Sequence, residues 1–429
     1  MVEVLDVRLA DLGARLRGAS LDAPAAGDAA GDTYALDLRG WAVGTATQAA
    51  VAVEVACGDR LIARRSLDVE RADVARHLGS DRTLCGFFGP INALLLPVDF
   101  ELAITAVLED GTTCEFARVR GRRRRLGSPF RPTLEPLIVT TIGRTGSSML
   151  VHLLGAHPQV VAYRPFLVEP RVLSYWMAVL GSLADPVSYR RQIQQARDLG
   201  EPDWLLGRQG PGPRPIHDPE LHSWLGGEAV EELAGLCQAR ADAVYGRIAA
   251  GQGRSEASFF AEKCLPGAVP ALAWELYEGC REVVLVRDPR DMLCSMLAYG
   301  SRPAVRGFGR REVASDAEFV PVVGEAIDAL ERDWRSRSDH AHLVRYEDLV
   351  LDRPGALRAM LAYAGLDGEE DVIESMLHSL DEASDADGHR TTSSAADSVG
   401  RWRRELDPDV QRLCNERFAR PLDAFGYAP

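Results

Sequence analysis

The stretch LEPLIVTTIG (Leu134–Gly143) runs into a turn of glycines and hydroxyls, TIGRTGSSML (Thr141–Leu150), and then into the helical VHLLGAHPQV. An apolar run this short cannot span a bilayer, which takes about 20 residues. It also does not alternate with polar residues, so it reads as a strand covered on both faces, the kind found in parallel sheets. REVVLVRD (Arg281–Asp288) repeats the pattern after a helical segment, Pro266–Gly279, and AHLVRYEDLV (Ala341–Val350) reads as a third strand. Buried strands alternating with long helical stretches commit residues 134–429 to an α/β fold, a doubly wound and mainly parallel sheet flanked by helices.

The first part of the chain carries a different rhythm. From Tyr34 to Arg120, short alternating runs such as YALDLRGWAVG, AAVAVEVACG, RLIARRSLDV, FELAITAVLED and TTCEFARVRG are broken by Gly and Asp-Gly turns. That is the pattern of an antiparallel β-sandwich, with RADVARHL as a short bridging helix. The expected organisation is a sandwich-like domain over 1–121, a basic linker over 122–133 marked by four consecutive arginines, and an α/β domain over 134–429.

Net charge of −14 argues against a general basic field for nucleic acid or anionic membranes, so an anionic ligand must be held by a specific pocket. The start, MVEVLDVRLADLGARL, lacks the basic segment and apolar core of a secretion signal, and no long apolar span occurs. The expectation is a soluble cytoplasmic enzyme with no membrane insertion. Eight cysteines are scattered without a CxxC pair or a His/Cys metal spacing, and read as free thiols with no metal site. Of the 49 basic residues, Lys263 is the only lysine. A position that keeps an ammonium where every other cation is a guanidinium calls for a compact charge on a flexible stem.

The turn after the first strand is an anion site in the manner of a P-loop. The helix N-terminus offers free N–H groups, Gly146 lets a ligand approach, Thr145, Ser147 and Ser148 offer hydroxyls, and Arg144 offers charge. It is not the ATP-binding GxxxxGK[ST] loop, because Arg144 precedes the second glycine and no lysine follows it. In VVLVRDPRDMLCSML, a strand ends at Arg287 and a helix carries Ser295 eight residues later, a spacing that lets both converge on one phosphate.

These residues resemble those of the sulfotransferases that use 3′-phosphoadenosine-5′-phosphosulfate (PAPS). TIGRTGSSML is similar to the family's 5′-phosphosulfate loop, and Arg287 with Ser295 to its 3′-phosphate pair. VRYEDLVLDRP is similar to its late strand and helix, and HRTTSSAADSVGRWRREL to its segment closing over the donor. The resemblance runs from about Leu134 to the C-terminus, and Arg144 is shared with protein-tyrosine and several bacterial members. It implies PAPS as co-substrate without a metal, a small-molecule or glycan acceptor, Tyr346 at the adenine edge, and Gly400, Arg401, Trp402 and Arg403 around the 3′-phosphate. The histidine base of the cytosolic small-molecule members is replaced here by Cys264.

Sulfuryl transfer needs cations on the bridging oxygen of the leaving nucleotide, for which Arg144 and Lys263 are the candidates. A hydroxyl acceptor also needs a base, and Glu169 and Glu262 are the nearest carboxylates, with Glu262 alternatively the ion-pair partner of Lys263. The stretches 200–254 and 301–320 are long enough to shape an acceptor pocket, and His217 and His222 fall within the first as loop or cap residues. The rival readings are a P-loop nucleotide kinase or NTPase, and a nucleotide-binding protein without catalysis.

Overall fold

A computed structural model describes residues 2–28, 33–163, 170–184, 219–302, 309–310, 313–381 and 391–428. Its contacts divide the chain into two compact units, one formed by Met1–Phe130 with Met177–Cys237, the other by Arg131–Trp176 with Gln238–Pro429. The second unit is therefore discontinuous along the chain, which the single span 134–429 did not anticipate.

In the first unit, nine strands are β1 (Val2–Leu9), β2 (Leu16–Ala23), β3 (Ala35–Gly44), β4 (Ala50–Cys57), β5 (Arg60–Ser66), β6 (Val69–Glu70), β7 (Leu84–Asn92), β8 (Asp99–Leu108) and β9 (Thr113–Arg123). They form two antiparallel sheets, ordered β1-β9-β8-β4-β5 and β2-β3-β7-β6. Leu36, Leu38 and Phe87 of one sheet share a core with Val53, Leu102, Ile104 and Phe116 of the other, the packing of a sandwich. Phe87 and Phe116 meet edge to face at 6.3 Å.

Two differences from the sequence reading come from this unit. Residues 2–23, read only as an amphipathic start, supply two strands, because VEVLDV places Val2 and Val4 inward at period two. The arginine run is also not a solvated linker from residue 122. β9 continues through Arg123, whose turn it is to face inward, and the buried guanidinium donates to the carbonyls of Leu96 and Arg124. Arg124 in turn pairs with Glu231.

The second unit holds β10 (Glu135–Thr140), β11 (Val160–Val161), β12 (Phe259–Cys264), β13 (Arg281–Val286) and β14 (His342–Arg345), in the order β11-β12-β10-β13-β14. Every pairing is parallel. Leu137, Val139, Val283 and Leu285 pack on one side against Leu150, Leu153, Leu154 and Leu361, while Val284 and Val286 pack on the other against Leu293, Phe319, Val323 and Phe418. This two-sided burial explains why the strands lack alternation. Among the described residues no helix is long and apolar enough to cross a membrane. All eight cysteines are unpaired.

Candidate anion site at the ends of the parallel strands

β10 is the middle strand, and its C-terminal end delivers the turn Thr141–Gly146 into the helix Ser147–Ala156. The turn is braced from within. Thr141 Oγ1 donates to the carbonyl of Leu285 on β13 at 2.7 Å and meets Thr145 Oγ1 at 2.6 Å, and Thr145 also reaches the carbonyl of Ile142 at 3.0 Å. The Thr145 hydroxyl, expected on the ligand, is thus spent on the turn, leaving its backbone N–H as its contribution.

Arg144 has φ 71, the only non-glycine residue at positive φ among those described. Such a conformation costs on the order of 1–3 kcal/mol and persists where surrounding contacts over-determine it. Gly146 has φ 88, and a Cβ there would lie 2.5 Å from the Tyr346 ring, so only glycine lets the turn and the ring meet. The helix that follows has no side-chain cap and no acid in its first turn. Its leading N–H groups, which include those of Ser147 and Ser148, are the ones that a helix start offers to an anion.

The second element folds onto the first. Arg287 follows β13, and Asp288 caps the next helix, Pro289–Gly300, by accepting from the Arg290 N–H. Arg287 NH1 donates to the carbonyl of Arg144 at 3.0 Å, and NH2 to the carbonyl of Ser398 at 2.8 Å. Its guanidinium lies 4.5 Å over the Tyr346 ring. The residue is only 6% exposed, yet Nε finds no hydrogen-bond partner among the described residues. Ser295 Oγ accepts from Arg144 Nε at 3.2 Å, so the pair expected on one phosphate does converge, through Arg144. Burial first, with the guanidiniums of Arg287 and Arg302 adding repulsion, pushes Arg144 down to about 10. A buried cluster of cations with an unsatisfied donor is the environment that a phosphate or sulfate relieves.

Tyr346 is placed at the start of the helix Tyr346–Leu351 rather than on a strand, since β14 ends at Arg345. Its ring is a wall of the site, and its hydroxyl meets Ser398 Oγ at 2.9 Å. The closing segment is anchored by Asp291, whose carboxylate accepts from the N–H groups of Gly400 at 2.6 Å and Trp402 at 2.9 Å. Trp402 lies between Arg290 (4.0 Å) and Arg403 (4.4 Å) and is buried, which makes it core rather than a platform for a base. Arg403 is exposed. Arg401 was expected to grip phosphate with its fork, but that fork holds Glu405 at 2.7–3.0 Å, and only NH1 turns to Thr391.

Lys263 lies on β12, level with Val139 of β10 and one residue before the strand ends. That register brings it to the same end of the sheet as the loop. Glu262 faces the opposite way, as alternate strand residues must. It is 2% exposed, and its carboxylate accepts from the Tyr245 hydroxyl, the Leu173 N–H, and the N–H and hydroxyl of Ser174 at 2.6–2.9 Å. Those donors correct both expectations for Glu262: it anchors the helix Val172–Leu183, and serves neither as a base nor as the ion-pair partner of Lys263. Cys264 is buried beside Ser174, and burial pushes its thiol well up. Glu169 and His217, and the side chain of His222, lie outside the described residues.

Thr391, Ser398, Asp291 and Tyr299, which stacks on Arg144 at 4.3 Å, were not singled out in the sequence. Asp291 had a visible signal, a second acid in RDPRD, although one that reads equally as a helix-start carboxylate.

A family model described as "Sulfotransferase family" matches residues 136–371, more than half of the chain. No curated protein matches. Among solved structures, the chain is similar to the sulfotransferase domain of the Synechococcus PCC 7002 olefin synthase (17% identity, 69% of this chain and 98% of that one, TM-score 0.36). It is also similar to the sulfotransferase domain from the curacin biosynthetic pathway (13%, 70% and 99%, TM-score 0.39) and to a mouse sulfotransferase complexed with PAP (12%, 70% and 91%, TM-score 0.38). With a cation-lined loop at the end of the central strand and that match across the fold, the chain belongs to the sulfotransferase family.

Proposed function

We propose that the chain transfers the sulfuryl group of PAPS to a hydroxyl or amine of a small-molecule or glycan acceptor. The observation that carries this reading is Arg287: buried, tied to the loop through the Arg144 carbonyl, within one residue's reach of Ser295, and left with Nε unsatisfied. A 3′-phosphate supplies the acceptor that this group lacks. The uncapped helix start and the Gly146 turn fit the 5′-phosphosulfate.

In the reaction, the acceptor oxygen or nitrogen forms a bond to sulfur while the bond from sulfur to the bridging oxygen of the 5′-phosphate breaks. The electron pair stays on that oxygen, and 3′-phosphoadenosine-5′-phosphate (PAP) leaves. Arg144 and Lys263 are the cations assigned to the charge that grows there, a type of stabilisation whose loss costs about 10² to 10³ in rate. With Glu262 occupied, Glu169 is the remaining carboxylate from the sequence for the acceptor's proton.

The test is nucleotide binding in the presence of a chelator, followed by release of PAP from PAPS. PAP and PAPS are expected to raise the melting temperature without metal, while ATP with magnesium does not. A strict need for magnesium, or preference for ATP, would favour the kinase reading. Tight PAPS binding without PAP release under any acceptor mixture would favour a binding protein without catalysis.

A further inference from the structure

Two hydroxyls lie side by side between the loop and the closing segment. Ser295 Oγ and Thr391 Oγ1 are 3.5 Å apart, at the outer limit of a hydrogen bond. Each is already the acceptor of a guanidinium donor: Ser295 from Arg144 Nε at 3.2 Å, Thr391 from Arg401 NH1 at 2.8 Å. Arginine has no acceptor to give back, so the proton of each hydroxyl must be donated elsewhere. If one hydroxyl donates to the other, the second still has a proton to place. The buried Nε of Arg287, in the same cluster, is a further donor without a partner among the described residues. Donors outnumber acceptors here, and the missing partner is an anion with several oxygens.

Arg401 cannot fill that role directly, because Glu405 holds the rest of its fork in three contacts of 2.7–3.0 Å. What Glu405 does is fix Arg401 so that NH1 points at Thr391 and turns the Thr391 proton outward. We propose that Thr391 is a further ligand of the phosphate monoester assigned to Arg287 and Ser295, and that it helps the site require a 3′-phosphate. This rests on the donor reading above and adds a specificity-determining residue to it. Arg401 and Glu405 then act as positioning residues, through the Thr391 hydroxyl.

The test is calorimetric titration of wild-type protein, Thr391→Val, Thr391→Ala and Thr391→Ser with PAP and with adenosine 5′-phosphate, which lacks the 3′-phosphate. Losing one hydrogen bond to a charged group weakens binding on the order of ten- to a hundredfold. That loss is expected for PAP in the valine and alanine variants, with adenosine 5′-phosphate unchanged and PAP affinity restored in Thr391→Ser. Melting temperatures show that each variant is folded, and alanine stands in if valine is not. Wild-type affinity for PAP in both the valine and alanine variants overturns the proposal. Equal loss for both nucleotides overturns it as well, since Thr391 would then shape the loop as a whole. If wild-type protein itself does not prefer PAP to adenosine 5′-phosphate, the donor reading fails first and this inference falls with it.

Discussion

Arginines in the sandwich and arginines at the ends of the parallel strands show opposite chemistry from the same side chain. On the sandwich, Arg118 lies between Glu101 and Glu115, Arg122 on Asp99, Arg64 on Glu54, and Arg71 between Asp22 and Asp73. Side-chain hydrogen bonds to Glu115 and Asp99 raise the basicity of Arg118 and Arg122. At the site, Arg144 meets a hydroxyl and a ring, Arg287 meets carbonyls and a ring, and Arg144 is pushed down instead. The difference teaches that a count of cations is uninformative in a chain with 48 arginines. What separates a solvated surface from a ligand site is whether the charge has been answered within the protein.

Burial alone does not make the difference, as Arg337 shows. It is 7% exposed, and it donates to Glu282 at 2.7 and 3.1 Å and to Asp333 at 2.9 Å. Glu282 also accepts from Thr140 Oγ1 and Trp274 Nε1, and Asp333 from the Gly267 N–H. Burial works against its charge, and Glu282 and Asp333 outweigh that. This arginine is answered, and its role is structural.

The largest effect should therefore come from breaking that answer. Arg337→Ala strands Glu282 in the core, and breaking a buried pair in this way costs about 3–5 kcal/mol. Denaturant unfolding should show the loss, with nucleotide affinity of the remaining folded protein unchanged. Next is Lys263→Arg, expected to lower turnover about 10²-fold or more with little change in PAPS affinity, because the charge it meets develops only in the transition state. Near-wild-type turnover in that variant would make Lys263 structural. Glu262→Gln sharpens the same contrast. An amide facing the donors of Tyr245 and Ser174 should cost about 1–3 kcal/mol of stability while leaving turnover of the folded enzyme intact. A rate that falls with no loss of stability would restore Glu262 as a base. At the small end, Arg118→Ala, an exposed pair, should leave both melting temperature and nucleotide affinity where they are.

The sequence carried the architecture well where periodicity was unambiguous. The strands at 135–140 and 281–286 and the sandwich strands from Ala35 onward are spelled out by apolar runs or alternation. It carried β1 and β2 poorly, because an eight-residue alternating stretch near a terminus matches an amphipathic segment equally well. Tyr346 was assigned to a strand because VRYEDL keeps its apolar character past the point at which the chain turns helical. In the site, loop and motif residues were legible because backbone geometry constrains them: Gly146 by its contact with Tyr346, Arg287 by its place after a strand. Thr391 and Ser398 were not. They reach the site by tertiary contacts over about a hundred residues of chain, and nothing in TTSSAADS distinguishes them from ordinary turn hydroxyls.

The central claim is that Arg287 is an unanswered cation waiting for a 3′-phosphate. Titrating Arg287→Ala with PAP and with adenosine 5′-phosphosulfate tests it most directly. Truncating one partner of a buried hydrogen-bonded charge pair costs about 2–5 kcal/mol, or roughly 30-fold and upward in affinity. That loss is predicted for PAP, with adenosine 5′-phosphosulfate bound nearly as in the wild type. Equal losses for the two nucleotides, or none for PAP, would contradict the account.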